Sequence, residues 1–87
     1  MAHDLGSVSN ALKKHIEEEI LLRTTPLSAS EDLFAAGFDS MSLSRVLVFV
    51  EERFGLAIPD QDVVLDEVST VDKMAAFVHD KLAQAGK

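Results

Sequence analysis

Apolar residues recur along this chain at helical rather than strand spacing. Leu5, Val8, Leu12, Ile16 and Ile20 follow one another at steps of three and four. That predicts an amphipathic helix over residues 5–22, with Lys13, Lys14, Glu17, Glu18 and Glu19 on its wet side. Pro26 pushes the preceding Thr25 out of helical conformation, so this helix is expected to stop near Arg23. Leu43, Val46, Leu47, Val50 and Phe54 form a second stripe, and Val71, Met74, Ala75, Val78 and Leu82 a third, each in an i, i+3, i+4, i+7, i+11 register. Gly55 reads as the C-terminal cap of the second helix, and Ser69-Thr70-Val71-Asp72 opens the last one as a capping box.

Two unequal connections separate these stripes. Thr24 to Asp39 spans 16 residues, longer than the roughly 12–15 beyond which an unstructured connection is unusual and often functional. Ser28-Ala29-Ser30-Glu31 is expected to cap one helical turn there, carrying Leu33 and Phe34 inward. In the second connection, Leu56 to Val68, Pro59 can begin a short helix running through Val63, Val64 and Leu65. No strand pattern, repeat or low-complexity tract interrupts the series. The fold class is all-α: three longer helices, one short helix and a long first loop.

Composition narrows the function more than the fold. Eighty-seven residues, 47% apolar and 26% charged, predict a single globular domain over 1–87, with its core in about residues 5–84 and flexible ends. The absence of cysteine removes disulfides, thiolate metal sites and a cysteine nucleophile together, so any thiol chemistry has to come from an attached group. No apolar run approaches the roughly 18 residues of a membrane helix, and the N-terminus lacks a signal-peptide pattern, so a cytoplasmic protein without membrane insertion is expected. Net charge is −7 with no cluster of Lys and Arg, which argues against nucleic acid as a partner. From Glu31 to Asp72 ten acids face two bases, a net −8, while the remainder sums to +1. Such a half-anionic molecule either steers cationic partner surfaces or simply stays well solvated.

The chemistry concentrates where the long loop meets the second helix, at Gly37-Phe38-Asp39-Ser40-Met41. A helix start exposes unpaired backbone N–H groups and the positive end of the dipole, so a phosphate esterified to Ser40 is electrostatically accommodated there. An ordinary Asp or Ser N-cap accounts for the same residues taken alone. No His or Lys adjoins Ser40 in sequence to activate it, so the chain does not read as an enzyme. His15 and Glu19 lack a third metal ligand, and Asp60, Asp62, Asp66 and Glu67 lack the central Gly and final Glu of a calcium loop, so no metal is expected.

Four blocks, Asp32-Leu33-Phe34, Gly37-Phe38-Asp39-Ser40-Met41, Phe54-Gly55-Leu56-Ala57-Ile58-Pro59-Asp60 and Ser69-Thr70-Val71, together resemble the acyl carrier protein family in order and spacing, over about residues 8–83. The resemblance implies a four-helix bundle whose Ser40 receives a covalent 4′-phosphopantetheine arm from coenzyme A, with Asp39 and Met41 as its recognition flank. It also implies a monomeric carrier that holds acyl or aminoacyl intermediates as thioesters. Its partners would be a phosphopantetheinyl transferase, an acyl- or aminoacyl-loading ligase and downstream acyl-processing enzymes. The matching docking positions on the second helix are Met41, Ser42, Ser44, Arg45, Val48, Glu51 and Glu52, with Met41 and Val48 as the apolar centre.

The chain departs from the pattern of fatty acid biosynthesis carriers. Ser42 and Arg45 stand where acids are usual, Met41 replaces the commoner Leu, and the Pro59–Thr70 segment is longer. These differences favour a specialised lipid, polyketide or secondary-metabolite pathway, since a reversed charge excludes some partners as it attracts others. Asp-Ser-Met also resembles D-alanyl and other aminoacyl or peptidyl carriers, which keeps a small amino-acid cargo open. Phe34, Phe38, Phe49, Phe54 and Phe77 are expected to fill any space between the helices, favouring a short or polar cargo over a long acyl chain. The reading from a different class is a helical protein-interaction module that carries no prosthetic group.

Overall fold

Asp4 starts the first helix by accepting the Ser7 N–H on its carboxylate at 2.7 Å. The computed structural model describes residues 4–22 and 24–86, the side chain of Asp60 excepted. The expected stop at Arg23 and the outermost ends therefore lie outside the described residues. Helix α1 runs over Leu5–His15, α2 over Ser40–Phe54 and α3 over Val71–Gln84. The all-α class holds among the described residues, with α1 packed on α3.

The predicted stripes are the core. Val8 and Leu12 from α1, Ile16 directly after it, Val46, Leu47, Val50 and Phe54 from α2, and the entire third stripe are buried. Leu5 remains about half exposed at the helix start, and Ile20 and Leu43 are only partly buried against the core. Beyond His15 the first helix continues as a π turn over Ile16–Ile20, closed by the Leu21 N–H on the Ile16 carbonyl at 2.8 Å. One wider turn shifts the register by about a residue, so Ile20 and Leu21 both pack against the core. Leu22 then leaves with φ 51°, a left-handed exit made without glycine.

The short fourth helix is not formed. Two 3₁₀ turns, Asp60–Asp62 and Leu65–Val68, take its place. Val64 between them is extended at φ −101° and ψ 125°, which fits a pair of β-branched valines that lose rotamer freedom in a helix. Val64 and Leu65 are consequently exposed, and Val68 carries the burial.

The long first loop is tied down at both ends. Glu17 in the π turn accepts the Leu27 N–H at 2.6 Å, and Leu27 is buried. Asp72 N–H reaches the Ala29 carbonyl at 3.0 Å and Leu33 N–H reaches the Ser69 carbonyl at 2.8 Å, so the loop is stitched to the start of α3. The cap of α3 is Thr70, whose hydroxyl accepts the Lys73 N–H at 3.1 Å. Lys73 stands where a capping box needs Glu or Gln, so the reciprocal bond is missing.

Candidate functional site

Two local devices place Ser40. The first is a turn over residues 33–37, entered by Asp32, whose carboxylate accepts the Phe34 N–H at 3.0 Å. Its cap is thus Asp32 rather than Ser28. The turn closes with Phe38 N–H on the Leu33 carbonyl at 2.9 Å and Gly37 N–H on the Phe34 carbonyl at 3.3 Å. These paired bonds, with Gly37 at φ 105°, form a Schellman lock whose hydrophobic clasp is Leu33 with Phe38, both buried. Phe34 does not turn inward as expected; it is 38% exposed and meets the Phe38 ring edge-on at 6.0 Å. No heavy atom outside its neighbours lies within 4 Å of a Cβ built on Gly37. Its backbone angle, not space, therefore makes the glycine necessary.

The second device is the N-cap of α2. Asp39, extended at φ −122°, accepts the Ser42 N–H at 2.9 Å and the Ser42 hydroxyl at 2.9 Å on the same carboxylate oxygen. The bond from the Ser42 amide, followed by that from its hydroxyl, holds the Asp39 carboxyl below its ordinary range. Ser40 is then the first helical residue, exposed to solvent. The N–H groups of Ser40 and Met41 lie in the first turn and have no intrahelical acceptor, so an anion on the Ser40 oxygen meets the positive end of the helix.

Every expected docking residue lies on this helix, and most reach solvent. Met41 is 75% and Val48 58% exposed, while Ser44, Arg45, Glu51 and Glu52 are exposed. Ser42 is half-buried, its hydroxyl turned back to Asp39 rather than outward. A groove beside this face is lined by Ser44, Leu47, Val48, Glu51, Ile58 and Pro59. On its other side His15 stacks on Phe49 with ring centroids 4.0 Å apart and planes 10° from parallel. Sequence spacing gives no hint of that stack. Of the five phenylalanines, Phe38, Phe54 and Phe77 enter the core, whereas Phe34 is exposed and Phe49 only half-buried. Asp39 and Ser42, three residues apart, are a missed pairing that spacing signals, since it is the interval from an N-cap to the third helical residue, as in Asp4 and Ser7.

No helix among the described residues is long and apolar enough to cross a membrane. No curated protein matches the sequence significantly. A family model described as "Phosphopantetheine attachment site" matches residues 10–78, which takes in α2, parts of α1 and α3, and the loop that leads to Ser40. An exposed serine at a helix start, beside an oriented carboxylate and a positive-φ glycine, fits a phosphodiester-linked group. The chain belongs to the phosphopantetheine attachment site family, whose domains are generally non-catalytic carriers of a covalent 4′-phosphopantetheine group.

Proposed function

We propose that Ser40 is the attachment residue and that this protein is an acyl carrier, loaded by a phosphopantetheinyl transferase and visited by acyl-processing enzymes on the α2 face. The observation that carries this reading is the position of Ser40: first residue of α2, exposed, directly after the Asp39 cap. In loading, the Ser40 oxygen forms a bond to the phosphopantetheine phosphorus of coenzyme A as the pyrophosphate bond breaks. The adenosine bisphosphate portion leaves, and the serine proton passes to a base on the transferase. When bound, the group supplies a thiol that holds an acyl or aminoacyl cargo as a thioester.

Met41 and Val48 offer the apolar centre of the docking face, with Ser44, Arg45, Glu51 and Glu52 around it. Arg45 is a cation among acids, which favours partners other than those of bulk fatty acid synthesis and a specialised lipid or secondary-metabolite route. Small amino acids remain the alternative cargo.

Intact-protein mass before and after incubation with coenzyme A and a promiscuous transferase tests the assignment. Wild type is expected to gain one phosphopantetheinyl increment and Ser40→Ala none. An increment retained by Ser40→Ala removes Ser40 from the role, and a folded wild type that gains nothing favours a helical interaction module without the group.

A further inference from the structure

We propose that Ser42 is a positioning residue for the loading of Ser40: its hydroxyl fixes the Asp39 carboxylate in one orientation beside the attachment serine, and that orientation is what a transferase meets. The inference rests on the reading of Ser40 as the attachment residue. Asp39 Oδ1 accepts the Ser42 N–H and the Ser42 O–H, each at 2.9 Å. The amide bond alone caps the helix, and any residue other than proline at position 42 supplies it. The hydroxyl bond is additional and specific to Ser or Thr.

The two bonds do different work. A carboxylate on an exposed side chain held by one donor still swings about that bond, whereas two donors converging from one residue remove the remaining freedom. Both end on Oδ1, which leaves Oδ2 for a donor or cation on the transferase. Asp39 and Ser40 are adjacent, so a partner that grips Oδ2 finds the Ser40 oxygen already in register, with less ordering left to be done on binding. The same bond distinguishes the neighbouring serines: the Ser42 hydroxyl is donated to Asp39, while Ser40 is exposed and its hydroxyl has no such bond to the cap.

The test is initial-rate loading of the full apo chain with coenzyme A and a promiscuous phosphopantetheinyl transferase, comparing wild type, Ser42→Ala, Ser42→Thr and Ser40→Ala. Ser42→Ala is expected to raise KM for the carrier about three- to tenfold, the scale of one hydrogen bond, with kcat within about twofold, because the loss falls on recognition. Ser42→Thr restores KM. The melting temperature of Ser42→Ala stays close to wild type, since the amide cap is kept. A carbon-detected NMR titration of Asp39 shows its pKa rising toward the ordinary value in Ser42→Ala and remaining low in Ser42→Thr.

An unchanged KM in Ser42→Ala, with wild type loading normally, overturns the positioning role and leaves Ser40 untouched. An Asp39 titration identical in wild type and Ser42→Ala overturns it as well. If wild type does not load, the reading of Ser40 fails first and this inference falls with it.

Discussion

Ser40, Ser42 and Ser44 lie within about one turn of the same helix, yet backbone position separates their chemistry. The first is exposed at the helix start, the second is bonded to the cap, and the third is exposed one turn further along α2. Residue type alone does not distinguish them; the Asp39 cap does. His15 shows the same dependence on surroundings. Its Nε2 is buried without a hydrogen-bond partner, and its ring lies flat on Phe49. Burial lowers its pKa from the ordinary 6.5, aided by Arg45 and opposed by Glu19 and Glu52. A histidine held neutral by the fold contributes stability that is complete above the unfolded value and declines as pH falls through the folded one, because the unfolded chain binds the proton more readily. Melting temperatures measured from pH 7.5 down to 5 are therefore expected to fall more steeply in wild type than in His15→Phe, which keeps an aromatic stack and has no proton to bind. Parallel curves for the two proteins would remove His15 from the acid sensitivity of the fold.

At the scale of elements, the three long helices are legible because each carries five apolar residues in one register, a signal that loop chemistry does not disturb. The end of α2 is equally legible. Gly55 adopts φ 68° and donates to the Glu51 carbonyl, the left-handed cap that an L side chain resists. Gly55→Ala is expected to cost about 1 kcal/mol and lower the melting temperature by about 4–8 °C. Gly6→Ala carries the opposite sign, because residue 6 lies within α1 and an added Cβ meets only the Asp4 carboxylate at an ordinary 3.5 Å. Differential scanning calorimetry separates the two, and equal shifts would refute the backbone argument.

What escaped the sequence is what tertiary contacts decide. The π turn at Ile16–Ile20 keeps a helical pattern of side chains and betrays itself only through a carbonyl shared five residues along. The short fourth helix failed because the Val63-Val64 pair prefers extended backbone, while its apolar content reads the same for a helix or a turn. The residues of the proposed attachment region, Gly37, Asp39 and Ser40, could be singled out from the sequence. Its geometry could not, since the stitching of the loop to Ser69 and Asp72 joins distant parts of the chain, and the local Leu33–Phe38 lock is seated against the core that they share.

Across the whole molecule the charge is divided: the −8 carried between Glu31 and Asp72 falls on the loop, α2, the two 3₁₀ turns and the start of α3. Exposed charges attract over about a Debye length, near 10 Å at 0.1 M salt and 3 Å at 1 M, so the field acts on encounter more than on the docked complex. Raising NaCl from 0.05 to 0.5 M is expected to increase KM for the carrier several-fold in loading by a transferase with a basic docking surface, with kcat changed much less. Arg45 tests whether the local pattern or the total charge matters. Arg45→Glu and Lys81→Glu change the net charge equally, but Arg45 sits between Met41 and Val48 on the proposed docking face of α2 while Lys81 lies on α3, its ammonium 5.6 Å from the Phe77 ring centre. If recognition reads the face, Arg45→Glu lowers KM with partners that present a basic surface and raises it with a partner that pairs an acid with Arg45. Each change is up to about fivefold, the scale of one exposed ion pair, and Lys81→Glu moves neither. Equal effects of the two substitutions would mean that the overall field, and not Arg45, selects the partner.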